Sequence, residues 1–153
     1  MDGADPRHAA ARARHAAEAD NPGALASTRF ADQGEVGFTI RSVIAFCGFV
    51  RRLHVVTDGQ SPQALPEILA ARPDWRGRVE IVDHSALYAE HADLLPVFSS
   101  RSIETMLHRI PGLAARFVYL NDDMSVARPA TAGTYFDGED RRASCRERVY
   151  HSV

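Results

Sequence analysis

Three short polar clusters, Asp58-Gly59-Gln60, Asp83-His84 and Asn121-Asp122-Asp123, hold most of the side chains that could do chemistry in this chain. Adjacent carboxylates such as Asp122 and Asp123 suit Mg2+ or Mn2+, hard cations that take oxygen ligands and bridge phosphates. The same triplet also suits an ordinary turn, because Asn and Asp side chains hydrogen-bond their own backbone. A second constellation is Glu104 and His108, four residues apart and therefore on one face of a continuous helix, with Arg101 one turn earlier and Arg109 alongside. Such a face could set a base beside a guanidinium that holds phosphate; the plainer alternative is a solvated face with an ion pair. Arg29, Asp32, Glu35 and Arg41 leave the same choice between an ion-pair network and a phosphate contact. His8, His15, His54 and His91 have no partner at an informative spacing and read as surface or core-filling residues.

The elements that must position these clusters follow from periodicity. Val36, Ile40, Val43, Ile44 and Val50 recur near helical spacing, which predicts a core-packed helix over 36–49. The β-branched run 53–57 stops at Asp58-Gly59 and predicts a strand followed by a turn. Leu65, Ile68 and Leu69 line one side of a helix predicted over 62–71, with Pro73 as its stop, and 79–82 is a second strand leading into Asp83-His84. Ser99 or Ser100 is placed to cap a helix that turns Ile103, Met106, Leu107 and Ile110 inward and ends at Pro111-Gly112. The run 117–120 predicts a third strand, ending at Asn121. Upstream, 7–20 reads as a polar helix ended by Asn21-Pro22-Gly23. Strands alternating with helices predict an α/β fold with a mostly parallel sheet and flanking helices. In such sheets ligands bind outside the carboxyl ends of the strands, so the three polar clusters are expected to converge there.

Composition bounds the rest. With 45% hydrophobic and 25% charged residues the chain has the profile of one globular domain, and a net charge of −2 argues against a nucleic-acid partner. Its apolar runs are far shorter than the roughly 20 residues that cross a bilayer. Met1 to Pro6 is acidic and lacks a charged-then-apolar export signal, which makes the cytoplasm the default location. Cys47 and Cys145 have no metal-type spacing and read as inert. From Asp137 onward Arg141, Arg142, Arg146 and Arg148 crowd a stretch without a periodic apolar face, so 137–153 is expected to lie outside the core, disordered or poorly packed.

Seven sequence words follow one another in order: Arg29-Phe30-Ala31-Asp32 with Glu35 and Arg41-Ser42; Val55-Val56-Thr57-Asp58-Gly59-Gln60; Ile81-Val82-Asp83-His84; Leu95-Pro96 with Phe98-Ser99-Ser100; Ile103-Glu104; Leu107-His108-Arg109-Ile110-Pro111-Gly112-Leu113; and Arg116-Phe117-Val118-Tyr119-Leu120-Asn121-Asp122-Asp123-Met124. Together they resemble the second and longest conserved block of the Stealth family. Asp2-Gly3-Ala4-Asp5-Pro6 resembles the end of the family's first block. The organisation expected from this resemblance is a first-block remnant and polar helix over 1–28, a catalytic core over 29–136 and a tail outside the family pattern over 137–153.

The resemblance implies a nucleotide-sugar fold of the glycosyltransferase-A kind and transfer of hexose 1-phosphate from a nucleotide sugar to a hydroxyl on a polysaccharide or glycan, as in capsule or exopolysaccharide synthesis. It implies Mg2+ or Mn2+ held by Asp122 and Asp123, phosphate held by Arg109, and a base or positioning role for His84 or His108. Donor binding would fall to Asp2, Asp5, Asp58, Gly59, Gln60 and Asn121. A cytoplasmic enzyme of this kind would sit at the periphery of the inner membrane beside an export complex. Two alternatives stay open at the level of sequence: a metal-dependent glycosyltransferase that releases nucleoside diphosphate, and an inactive fragment.

Overall fold

The computed structural model describes residues 5–16 and 33–136. Helix α1 (Pro6–Ala16) opens on Asp5, whose carboxylate accepts the backbone N–H groups of Arg7 (2.9 Å) and His8 (3.0 Å). Those are two of the donors that a helix start leaves without an internal partner. The remainder of the helix predicted over 7–20, with Asp2, Arg29, Asp32, Cys145 and the tail from 137, lies outside the described residues.

Helix α2 (Glu35–Phe46) begins at Gly34, whose φ of +81° is a left-handed conformation that glycine adopts at little cost. Its apolar stripe buries Ile40, Val43 and Ile44, as the spacing predicts. Gly37 permits close approach to the next layer: a Cβ there would lie 3.0 Å from that of Ala64. Strand β1 (Leu53–Thr57) leads through α3 (Leu65–Ala71) and a single 3-10 turn (Pro73–Trp75) to β2 (Val79–Asp83). The two strands pair in parallel, Leu53 opposite Val79 and Thr57 opposite Asp83. Parallel pairing requires such a crossover, here supplied by α3.

Side chains alternate across the two strands with period 2. Leu53, Val55 and Val79 pack with Ile40 and Ile44 of α2, Leu65 and Ile68 of α3, and Trp75. Val56 and Val82 point the other way, into a second cluster with Leu87, Tyr88, Leu107 and Ile110. That second cluster is built from α4 (His84–Leu87), α5 (Ser100–Met106) and the 3-10 turn Leu107–Arg109. Ser99 caps α5 through its hydroxyl, which accepts the Ser102 N–H at 3.4 Å. A short helix α6 (Ala132–Tyr135) follows a capping box between Thr131 and Thr134.

One predicted strand does not form. Among the described residues the sheet has two strands, β1 and β2, and the half-buried run 117–120 joins no ladder. Its composition suits a strand, but a strand is a pairing, and a cavity of about 1340 Å3 is lined both by 117–120 and by β1. The architecture is therefore mixed helix and strand around a small parallel sheet, compatible with an α/β fold.

Candidate active site

The carboxyl ends of β1 and β2 are locked together by one side chain. The Asp83 Oδ2 accepts the Gly59 N–H at 2.6 Å, while its Oδ1 accepts the N–H (2.8 Å) and hydroxyl (2.5 Å) of Ser85 and so caps α4. These hydrogen bonds, that of the Ser85 hydroxyl foremost, hold the Asp83 carboxyl below the usual carboxylate range. Gly59 makes the turn with φ of +64°, and the Thr57 hydroxyl donates to Gln60 O at 2.7 Å. Asp58 lies half-buried at the same end.

His84 follows directly and is 1% exposed. Neither ring nitrogen has a hydrogen-bond partner, an arrangement that buried polar groups normally avoid. Burial holds its pKa below the ordinary histidine value, and this outweighs the attraction of Asp58 and Asp83 for the charged form. A neutral imidazole with both nitrogens uncommitted is thus set in the wall of the cavity, which Asp5, Gly59, Gln60, Asn121 and Asp122 also line. Asp5 belongs to the start of α1, and the α1 guanidinium of Arg7 lies 3.9 Å from where a Gly59 Cβ would sit.

The third cluster is held by hydroxyls. The Thr39 hydroxyl of α2 lies 2.8 Å from Asp122 O and 2.6 Å from Met124 O, sharing its one proton between them. The Ser42 hydroxyl donates to Thr39 O (2.8 Å) and accepts the Val126 N–H (3.0 Å), which carries the anchoring one turn further. Tyr119 donates its phenol proton to Asn121 Oδ1 and lies 3.4 Å from Glu104 Oε1. Asp122 and Asp123 are both exposed, and Asp122 faces the cavity. Sequence reasoning gave Thr39, Ser42 and Tyr119 no role of their own; the available signal was a Thr and a Ser three residues apart within the stretch that buries Ile40 and Val43.

The second constellation behaves differently. His108 is exposed, outside the cavity lining, and its Nδ1 sits 2.8 Å from Thr105 O. Arg109 is paired with Glu90 at 2.7 Å and also lies outside the lining. The 3-10 turn at Leu107–Arg109 changes the angular step after Met106, so the four-residue spacing of Glu104 and His108 does not stack as it would on a continuous helix. Among the other charged candidates, Glu35 receives the Gln33 N–H (2.7 Å), Arg41 pairs with Glu67 (3.1 Å) and Arg101 is exposed. Cys47 is buried and unbridged, with its thiol pKa raised by burial.

Among the described residues no group of three His, Cys, Asp or Glu side chains is placed to hold a metal ion, and no helix is long and apolar enough to cross a membrane. Any divalent cation at Asp122 and Asp123 would therefore complete its shell from substrate phosphate and water. That is the usual habit of Mg2+, which binds through one or two carboxylates, so the donor set is compatible with it.

Residues 29–144 match the family described as Stealth protein CR2, conserved region 2. An exopolysaccharide phosphotransferase of Streptomyces coelicolor is 37% identical over 140 residues, 89% of this chain and 14% of the relative. A capsular polysaccharide phosphotransferase of Aeromonas hydrophila is 38% identical over 113 residues, 74% of this chain and 29% of the relative. Another, from Actinobacillus pleuropneumoniae, is 32% identical over 139 residues, 89% of this chain and 36% of the relative. The chain thus spans between 14% and 36% of the length of these relatives. No solved structure matches it. With residues 29–144, most of the chain, matched by this conserved region, the chain belongs to the Stealth family.

Proposed function

We propose that this chain supplies part of the active site of a sugar-phosphate transferase, which moves hexose 1-phosphate from a nucleotide sugar to a hydroxyl of a polysaccharide or glycan. The observation that carries the reading is the buried, unpartnered His84 in one cavity wall with Gly59, Gln60, Asn121 and Asp122. The names of the relatives, exopolysaccharide and capsular polysaccharide phosphotransferases, supply the reaction class. The acceptor oxygen attacks the phosphorus that carries the sugar, a new P–O bond forms, the P–O bond to the nucleotide breaks, and nucleoside monophosphate leaves. The anomeric C–O bond of the sugar is untouched.

Each residue has a task in this scheme. His84, kept neutral by burial, accepts the acceptor's proton or orients its hydroxyl; His108, exposed and outside the cavity lining, does not. The Gly59-Gln60 turn and Asn121 offer backbone and amide groups to the donor, as does Asp5 at the start of α1. Asp122, with Asp123 beside it, holds Mg2+ or Mn2+, which when bound neutralises the pyrophosphate and the charge of the moving phosphoryl group. Arg109, paired with Glu90 at the surface, has a supporting role at most in holding phosphate. The nucleotide-sugar fold, a cytoplasmic site and association with a membrane export complex belong to the same reading.

The test uses the chain alongside a chimera in which it replaces the matching region of the Aeromonas hydrophila phosphotransferase. A donor labelled on the phosphate nearest the sugar is supplied with acceptor glycan. Label arriving in the glycan supports the reading; sugar arriving without label would sink it.

A further inference from the structure

Asn121 opens the turn that carries Asp122 and Asp123, and its carbonyl accepts the Met124 N–H at 3.2 Å. An Asn at the head of a plain turn gives its side-chain oxygen to its own backbone about two residues on. Here that oxygen meets Tyr119, whose phenol oxygen lies 2.5 Å away. The length identifies the donor. An O–H···O bond spans roughly 2.5–3.0 Å, whereas N–H···O needs about 2.7–3.2 Å, so the phenol gives its proton to Oδ1 and does not receive one from the amide nitrogen. Glu104 Oε1, 3.4 Å from the same phenol oxygen, is the competing acceptor and lies beyond both ranges.

Both partners are held in place. The Tyr119 ring packs against the cluster of Val82, Leu87, Tyr88, Leu107 and Ile110, which fixes the point at which its hydroxyl stands. The backbone of Asn121 is held by its turn, and the next residue by the Thr39 hydroxyl, 2.8 Å from Asp122 O. A planar amide carries its oxygen and its nitrogen on separate arms, so fixing Oδ1 also fixes the direction of the NH2. Asn121 lines the cavity beside Asp122 with its oxygen already engaged by Tyr119.

We propose that Tyr119 is a positioning residue for the transfer reaction: by engaging the Asn121 side-chain oxygen it presents the Asn121 NH2 to an acceptor oxygen of the nucleotide sugar. The proposal rests on the sugar-phosphate transferase reading above. Asn121 is then a hydrogen-bond donor in the site and not a cation ligand, because hard cations bind the amide oxygen and not the amide nitrogen. The same NH2 suits a phosphate oxygen or a sugar hydroxyl.

One test needs no turnover. In the isotope-labelled chain, cross-relaxation between the Asn121 amide protons and the ring protons flanking the Tyr119 hydroxyl reads the orientation. Weak cross-peaks are expected; strong ones, the mark of an NH2 given to the phenol oxygen, would overturn the proposal. The second test uses the chimera with the Aeromonas hydrophila phosphotransferase. Tyr119→Phe keeps the ring and removes only the hydroxyl. It should raise the donor KM, and the donor Kd read without acceptor, by about five- to tenfold, the weight of one hydrogen bond, while kcat moves less than about twofold and melting hardly changes. Asn121→Ala should weaken the donor at least as much, and the double variant should bind no more weakly than Asn121→Ala alone, because Tyr119 acts through Asn121. Losses that add, or normal donor binding in Tyr119→Phe, contradict the proposal. Nucleoside diphosphate separates the two kinds of oxygen: an equal loss of its affinity in Tyr119→Phe puts the contact on phosphate, an unchanged affinity puts it on the sugar, and either agrees with the proposal. Sugar arriving in the glycan without phosphorus would sink the transferase reading, while donor Kd and cross-relaxation still judge Tyr119. An unmodified chimera that binds no nucleotide sugar overturns both.

Discussion

Asp83 and Asp122 stand at the ends of similar apolar runs, yet the fold uses them in opposite ways. Asp83 gives its carboxylate to the scaffold, tying Gly59 to β2 and capping α4. At Asp122 the scaffold grips the backbone instead, through Thr39, and the residue stays exposed at the cavity. A carboxylate already saturated by donors is a poor metal ligand, because each donor competes for the same lone pairs. One acid therefore ties the scaffold together, and the other stays exposed at the cavity.

The largest expected effect breaks that contrast directly. In the chimera, Asp122→Asn or Asp123→Asn should lower the transfer rate by about 100- to 1,000-fold, the scale of a lost electrostatic contact to a reacting group. Melting should hardly change, since Asn keeps the turn-forming shape. Near-normal rates in both variants would leave the triplet as a turn. Asp83→Ala should do the reverse, losing about 1–2 kcal/mol of stability through the α4 cap and the Gly59 bond. Urea midpoints measure this, and an unchanged midpoint would show that the Asp83 bonds are dispensable.

Acid sharpens the comparison further. His84 has a folded pKa depressed below 6.5, so it binds fewer protons folded than unfolded. Its contribution is present above pH 6.5 and is lost as pH falls through that value toward the depressed one. Asp83, depressed below 3.8, adds a second loss at lower pH, as the solution acidifies through its folded pKa. His84→Gln should remove the first step of the urea-midpoint profile and keep the second; a profile unchanged by this variant contradicts the burial argument. Smallest of all, Glu67→Ala, which breaks only the exposed pair with Arg41, should cost no more than about 0.5 kcal/mol.

Local pattern explains why β1, β2, α2, α3 and α5 were legible in the sequence: their apolar spacing and stop signals lie within each segment. Phe117 to Leu120 shows where that legibility ends. The run has strand composition, but among the described residues it joins no ladder, and pairing is a property of two segments. His108 meets a related limit, because one 3-10 turn shifts the phase on which a helical face depends. The polar end of each run was visible as a site candidate. What remained hidden was burial: nothing local distinguishes His84, with no partner for either nitrogen, from His108 bonded to Thr105.

The most direct measurement of the whole account is the nucleotide released when the chimera turns over a nucleotide sugar with Mg2+ or Mn2+ and acceptor glycan. Nucleoside monophosphate in equal amount to glycan-bound phosphodiester is the predicted result. Nucleoside diphosphate, with sugar joined to the glycan free of phosphorus, would contradict it.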